Sequence, residues 1–147
     1  MSADIAPDEG RGTGPVVRSV QPHDWPRGNG YAHGTTASGR LVFVAGQVGW
    51  DPLTQRVVAG GFAAQTAQAL ANVVAVLRAA GAEPDHVTRM TWFITDRPAY
   101  LSAQRDIGAA WRDHFGRHYP AMSVVIVSGL LEDGALLEIE ATAVVPQ

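Results

Sequence analysis

The sequence predicts a single α+β domain in which two helices pack on one face of a β-sheet. Strand-like and helix-like segments follow one another in the order β-β-β-α-β-α-β-β, without internal repeats or linkers. Two helices are enough to cover only one face of a sheet with several strands. The last strand agrees with this arrangement, because residues 136–145 alternate between apolar and polar side chains.

Length and composition agree with one folded domain. A chain of 147 residues can bury roughly 70% of its unfolded surface. Its hydrophobic content of 46%, against 17% charged residues, is typical of globular rather than disordered chains. Residues 1–15 are rich in Gly, Pro, Asp and Glu and show no periodicity. They predict a flexible N-terminal tail before a domain that spans residues 16–147.

Composition also restricts the class of function. A net charge of -3 gives no electrostatic reason to expect nucleic acid or an anionic membrane as a partner. Without cysteine the chain has no disulfides, thiolate nucleophiles or cysteine metal sites. No pair of histidines combines metal-ligand spacing on one helix with a third ligand, so we expect no metal. The lack of a long apolar run and of a signal-peptide pattern predicts a cytoplasmic protein.

The first half of the domain is predicted to contain short strands and one long helix. Residues 16–20 predict a strand, residues 31–45 a β-hairpin that turns at residues 38–39, and residues 49–61 a loop. In residues 61–82, apolar side chains recur at spacings of three and four, and Gly81 is well placed to end the helix. The resulting stripe consists of Phe62, Thr66, Ala69, Leu70, Val73, Leu77 and Ala80.

The second half predicts a strand at residues 86–95, a helix at 98–116, and two strands at 121–128 and 136–145 that are joined by a turn at 133–134. The anchors of this helix are Tyr100, Ile107, Trp111 and Phe115.

The strand at residues 121–128 is unusual because it is apolar on both sides. A strand buried on both faces needs a second cover when the helices lie on only one face of the sheet. The simplest cover is another subunit, so the pattern predicts a homo-oligomer with its sheets turned inward.

Five segments resemble, in order and spacing, the Rid/YjgF family of RidA-like enamine and imine deaminases: YAHG...GRLVFVAGQVGWDP, QTAQALANVVAVLRAAGA, VTRMTWFITD, YPAMS and LLEIEATAV. The resemblance covers about residues 16–146. It implies a chorismate-mutase-like α+β fold with a mixed sheet, and a homotrimer with ligand clefts between its subunits. It also implies hydrolysis of reactive enamines and imines to keto acids and ammonia, a small-molecule ligand, and no metal or organic cofactor.

The resemblance also assigns working residues to positions of this chain. The family's tyrosine before the hairpin corresponds to Tyr31, and the glycine whose backbone N–H faces the ligand corresponds to Gly46. The serine before that glycine is replaced by Ala45. The glutamate that holds the hydrolytic water corresponds to Glu138, which is the candidate catalytic residue. Glu140 lies on the same side of the predicted strand, and the pattern alone does not separate the two carboxylates.

The family's PARSC segment is PAMSV in this chain, so Met122 stands where an arginine binds the substrate α-carboxylate. Val124 replaces a cysteine whose backbone carbonyl contacts the ligand nitrogen, and Gly108 replaces an asparagine of the second helix. Losing a partly buried carboxylate–arginine pair costs on the order of 2–5 kcal/mol of binding. Met122 is therefore either plain packing or the wall of a cleft whose ligand has no α-carboxylate or is held by another cation. The cations considered, Arg40, Arg89 and Arg117, are typical of solvated surface.

Two further residues are candidates for the ligand site. His33 lies two residues from Tyr31 on the same side of that strand, where it is either structural or in contact with the ligand. Trp50 follows the turn at Gly46 and is either a wall of the cleft or part of the core.

The leading functional hypothesis is hydrolysis or tautomerisation of an enamine or imine that lacks an α-carboxylate, with Glu138 placing the water. One alternative is a non-enzymatic trimer that binds small molecules or acts as a chaperone. Another is a pathway-specific enzyme that uses the same cleft for different chemistry.

Overall fold

The structure, a computed structural model, describes residues 16–147, so the tail predicted for residues 1–15 lies outside the described residues. A 3₁₀ turn at Pro84–His86 directly precedes the strand that begins at Val87. In chain order the other elements are β1 (Arg18–Val20), β2 (Gly34–Thr36), β3 (Arg40–Val48), β4 (Trp50–Asp51), β5 (Arg56–Val57), α1 (Gly61–Ala79), β6 (Val87–Ile94), α2 (Arg97–Ser102), α3 (Gln104–Phe115), β7 (Ala121–Ile126) and β8 (Leu137–Val145).

Four strands form one mixed sheet in the order β3-β8-β6-β7. Strand β8 is antiparallel to both of its neighbours, β3 and β6, whereas β6 and β7 are parallel. The connection from β6 to β7 contains helices α2 and α3, as a parallel pair requires. The predicted α+β class with a mixed sheet is therefore confirmed.

Helices α1 and α3 pack together with the sheet around one hydrophobic core. The predicted stripe of α1 is buried from Phe62 to Leu77, whereas Ala80 is half-buried and follows the end of the helix at Ala79. Gly81 follows with φ of +75°, a left-handed conformation that glycine adopts without strain. Fully covered core side chains include Leu70, Val73, Leu77, Met90, Ile94, Leu137 and Ile139.

The hairpin predicted for residues 31–45 is wrong. Strand β2 pairs with β1, whereas β3 pairs with β8 and places Leu41 opposite Val144. The segment before β2 reaches the opposite edge of the sheet, where Ala32 bridges Ala121. Strands β3 and β8 both have nine residues and β2 has three. The long partner therefore offers β3 more hydrogen bonds and cross-strand contacts than a local hairpin could.

The last two strands are joined by a turn at residues 133–134, as predicted, but they are not neighbours in the sheet. The turn at residues 133–134 does not join neighbours, because β6 lies next to β7 and β8 lies on the other side of β6. The alternation predicted for β8 is correct: Leu137, Ile139 and Ala141 are buried, and Glu140 between the last two is exposed.

Two segments predicted as single units are divided. The helix predicted for residues 98–116 breaks at Ala103 into α2 and α3, while the anchors Ile107, Trp111 and Phe115 are buried as expected. The loop predicted for residues 49–61 contains the two-residue pair of β4 and β5.

Apolar side chains are exposed on the face of the sheet that points away from the helices, which we call the open face. Leu41 and Phe43 alternate with the buried Val42 and Val44, and Phe43 is 73% exposed. The outer end of edge strand β7 is also uncovered, with Ile126 57% exposed. Within residues 16–147, no helix has the length and apolar content to cross a bilayer.

Candidate functional site

A cavity of about 700 Å³ opens on the helix side of the sheet, between strand β7 and helices α2 and α3. This volume lies within the range of about 300–1,000 Å³ that is usual for small-molecule sites. Much of its wall is aromatic, formed by Tyr31, Trp92, Tyr100, Trp111 and Tyr119.

Met122 and Val124 both line this cavity. Strand β7 pairs in parallel with β6, and the register sets Met122 beside Met90 and Val124 beside Trp92. Side chains in register share a face, so both residues point to the helix side. Met122 is half-buried and packs against the core. It therefore contributes to packing and to the cavity wall at the same time.

Tyr31 is held at the cavity by its neighbours in the chain. The backbone N–H of Ala32 donates to the carbonyl of Pro120 at 3.0 Å, which fixes this segment beside the start of β7. His33 Nε2 donates to the carbonyl of Pro26 at 2.9 Å, since a carbonyl can only accept. The His33 ring meets the Tyr31 ring edge-on at 5.4 Å. His33 therefore supports Tyr31 and does not line the cavity.

The back of the cavity is a stack of aromatic rings. Trp111 is stacked on Phe115 with centroids 4.4 Å apart and on Tyr119 with centroids 5.9 Å apart. Its indole N–H donates to the carbonyl of His118 at 3.1 Å. His118 Nε2 in turn donates to the carbonyl of Val87 at 2.7 Å, so this histidine joins the helix end to β6.

Two arginines that sequence reasoning missed also line the cavity, Arg105 and Arg112. They lie three residues before and four residues after Gly108, so all three residues share one face of α3. A Cβ at Gly108 would meet Nη1 of Arg112 at 3.3 Å, so this guanidinium lies over the glycine. The sequence signal for these arginines is their spacing of three and four residues from Gly108, where the resemblance leads one to expect an asparagine.

Gly46 and Glu138 meet on the open face. The register of β3 with β8 shifts between Val44 and Gln47, which takes Gly46 out of the regular ladder. The carboxylate and the outer side chain of Glu138 occupy the space that a side chain at position 46 would need. The absence of a Cβ at Gly46 therefore permits this close approach.

The structure separates the two carboxylates that the pattern left equivalent. Glu138 is half-buried, lies against Gly46 and pairs in register with Phe93. Glu140 is exposed and pairs with Thr91. It lines a second, smaller hollow on the open face together with Arg89.

The remaining candidates lie away from the cavity. Trp50 is half-buried, donates to Gln47 Oε1 at 3.4 Å, and accepts from Asn72 Nδ2 through its carbonyl at 2.8 Å. Arg40 Nη2 donates to the carbonyl of Ala80 at 2.9 Å, just beyond the end of α1. This contact places a cation at the negative end of the helix.

The sequence-predicted site residues thus form two groups on opposite faces of the sheet. Tyr31, Met122 and Val124 line the cavity on the helix side, and Gly46 and Glu138 lie on the open face. One chain does not bring the groups together. Over the described range 16–147, no three His, Asp or Glu side chains form a group that could hold a metal ion.

Comparison with known proteins places these features in a family. A family model described as Endoribonuclease L-PSP matches residues 25–145. A RutC family protein of Pyrococcus horikoshii is 36% identical over 72% of this chain and 80% of its own length. The human 2-iminobutanoate/2-iminopropanoate deaminase is 30% identical over 71% of this chain and 73% of its own. The crystal structure of YyfB of Yersinia pestis, a Rid family protein of unknown function, is 34% identical with a TM-score of 0.78, covering 88% of this chain and 99% of its own.

Proposed function

Because the chain belongs to the Rid/YjgF family, we propose that it hydrolyses or tautomerises a reactive enamine or imine without an α-carboxylate, in a cleft between two subunits of a homotrimer. The observation that carries this proposal is the meeting of Gly46 and Glu138 on the open face. By the resemblance, Glu138 corresponds to the glutamate that holds the water and Gly46 to the glycine whose backbone N–H faces the ligand, and their contact in one chain supports the proposal.

The exposed apolar surface supports assembly. Leu41 and Phe43 project from the open face, and Ile126 is uncovered at the edge of the sheet. Exposed apolar patches of this kind mark contacts with other subunits. A head-to-tail ring would set the open face of one subunit against the cavity edge of the next, so that Glu138 of one chain faces Met122 of its neighbour. Light scattering should give the mass of three chains, and a stable monomer would contradict this picture.

The proposed chemistry needs only a placed water and a base. Glu138 holds the water and accepts its proton while the water oxygen attacks the imine carbon. The proton passes to the nitrogen, and the carbinolamine collapses to a carbonyl product and ammonia. Overall, R₂C=NH and H₂O give R₂C=O and NH₃. The negative charge of Glu138 also favours the protonated imine. The Gly46 N–H and the Val124 carbonyl orient the ligand, and Tyr31 lines the cleft.

Met122 limits the substrate. A thioether donates no hydrogen bond and carries no charge, so it cannot form the bidentate contact that an arginine gives a carboxylate. Methionine is flexible and polarisable and suits an apolar or aromatic substituent. We therefore expect turnover of imines in which the reacting carbon carries no carboxylate.

The test is ammonia release from two imines. One is 2-iminopropanoate, generated by enzymatic oxidation of alanine, and the other is the imine formed in situ by oxidation of benzylamine. Preferential hydrolysis of the uncarboxylated imine, above the rate without protein, supports the proposal. Preferential hydrolysis of 2-iminopropanoate would contradict the role given to Met122. Turnover of neither imine would favour the non-enzymatic binding module.

A further inference from the structure

We propose that the cavity binds an aromatic ligand carrying a carboxylate, and that Arg105 and Arg112 hold this carboxylate in place of the arginine that Met122 replaces. This inference deepens the proposed function and rests on it in one respect, the position of the reacting C=N bond next to Met122. The carboxylate would then belong to the far end of the substituent and not to the imine carbon.

The two arginines form a matched pair along α3. They are seven positions apart in the sequence, which is about 10.5 Å along a helix axis, and both line the cavity. Gly108 lies between them on the same helix face and leaves the surface there open. The guanidinium of Arg112 extends over this glycine, in the direction of Arg105. A ligand oxyanion above Gly108 would therefore find a cation on each side.

Among residues 16–147, no carboxylate balances the charge of either arginine. Within the part of the chain that the structure describes, no carboxylate oxygen lies within 4.0 Å of either guanidinium. Asp106 and Asp113 follow them in sequence, but adjacent helix residues face different directions. Guanidinium groups match planar carboxylates with two parallel hydrogen bonds, which makes a carboxylate the fitting partner.

The rest of the cavity selects for an aromatic body. Its walls include Trp92 and Trp111 from the core side and Tyr100 and Tyr119 from the connecting segments. Rings of this kind pack edge-to-face or offset against an aromatic ligand and favour its binding beyond the burial of area. The walls therefore favour a flat, unsaturated ligand over a short aliphatic acid.

The experiment is equilibrium binding by calorimetry on the intact protein, with 2-naphthoate, its uncharged amide 2-naphthamide, cyclohexanecarboxylate and inorganic phosphate as probes. The wild-type protein should bind 2-naphthoate at least about tenfold more tightly than the amide, since hydrogen bonds to charged groups are worth about 1.5–3 kcal/mol. Cyclohexanecarboxylate and phosphate should bind more weakly than 2-naphthoate.

The double variant Arg105→Gln/Arg112→Gln should lower the affinity for 2-naphthoate to that for the amide and leave amide binding unchanged. Arg117→Gln is the matched control, because Arg117 is exposed nearby and does not line the cavity. Circular dichroism and light scattering check that the variants keep their fold and assembly.

Equal affinity of the wild-type protein for 2-naphthoate and 2-naphthamide would overturn the inference. So would an undiminished preference in the double variant, absence of binding by all four probes, or phosphate binding as tight as that of 2-naphthoate. None of these readouts requires turnover. A wild-type protein that hydrolyses the uncarboxylated imine but shows no preference for 2-naphthoate over the amide would refute this inference alone, whereas a wild-type preference for 2-naphthoate without hydrolysis of either imine would refute only the proposed function.

Discussion

The two faces of the sheet differ in how closely they follow the Rid/YjgF pattern. On the open face, Gly46 and Glu138 keep the family's residues and lie in contact with each other. On the cavity side, three positions that the resemblance assigns to an arginine, a cysteine and an asparagine hold Met122, Val124 and Gly108. The glutamate matched to the water is thus retained, whereas Met122 and Val124 depart from the family at positions matched to ligand recognition and Tyr31 does not. In the proposed mechanism the water and the ligand body are held on opposite faces of the sheet, so the residues of one face can change without disturbing those of the other.

Glu138→Gln tests the open face and has the largest expected effect. Glutamine has the size of glutamate but cannot take a proton from water, so kcat on the uncarboxylated imine should fall by about 10²–10⁴-fold. Binding of 2-naphthoate should persist. Glu140→Gln is the matched control, because Glu140 lies on the same strand and face, and it should change kcat by less than about twofold. Equal losses of kcat in the two variants would mean that a carboxylate next to Gly46 has no special role.

Gly46→Ala tests the contact on the same face without touching the carboxylate itself. The added methyl group would occupy the space now filled by Glu138 and would displace that side chain. A misplacement of about 1 Å can cost roughly 10²-fold in rate, so kcat should fall on that scale. Ala45→Ser changes the exposed neighbouring position and should retain activity. Full activity of Gly46→Ala, with the trimer intact by light scattering, would show that the close contact is dispensable.

Met122→Arg tests the cavity side. It restores a charged donor where the family binds an α-carboxylate, so kcat/KM for 2-iminopropanoate should rise by about tenfold or more. Activity on the uncarboxylated imine should fall, because the cavity wall becomes charged. Met122→Leu keeps an apolar wall of similar volume and should leave the preference unchanged. If the arginine variant gains nothing on 2-iminopropanoate, residues other than Met122 determine the preference.

Trp92→Phe and Trp111→Phe compare two indoles of the cavity wall and give the smallest expected effect. The Trp111 N–H donates to the carbonyl of His118, whereas the buried Trp92 N–H has no acceptor among residues 16–147. Trp111→Phe removes a hydrogen bond and leaves the His118 carbonyl without its donor, whereas Trp92→Phe removes an N–H that has no partner among the described residues. Trp111→Phe should therefore lower the free energy of unfolding by about 1–2 kcal/mol more than Trp92→Phe. Urea unfolding monitored by circular dichroism measures both, and a larger loss for Trp92→Phe would contradict this order.

The sequence predicted those parts of the fold that depend on local periodicity. The stripe of α1 and the alternation of β8 follow from burial on one side, and both agree with the structure. The prediction of a hairpin at residues 31–45 failed because β3 pairs with β8, about one hundred residues later. A turn signal in the sequence carries no information on so distant a partner. The prediction of one continuous helix at residues 98–116 failed for a different reason, because neither glycine nor proline marks the break at Ala103.

For the candidate site, the resemblance located Met122 and Val124, and the structure places both at the cavity. The sequence could not separate Glu138 from Glu140, because the distinction depends on a bulge in the neighbouring strand. The sequence does not distinguish Arg105 and Arg112 from surface residues, because an exposed arginine on a helix is usually solvated. Their relation to a cavity depends on how α3 packs against β7.

The location of Gly46–Glu138 and of the cavity on opposite faces has a consequence for stoichiometry. In the proposed ring, each complete site takes one half from each of two chains. Two inactive variants with defects in different halves, once dissociated and reassembled together in equal amounts, would regain about one intact site in four by random pairing. The unit of function would then be the junction between chains, and activity per chain would decline on dilution as junctions are lost.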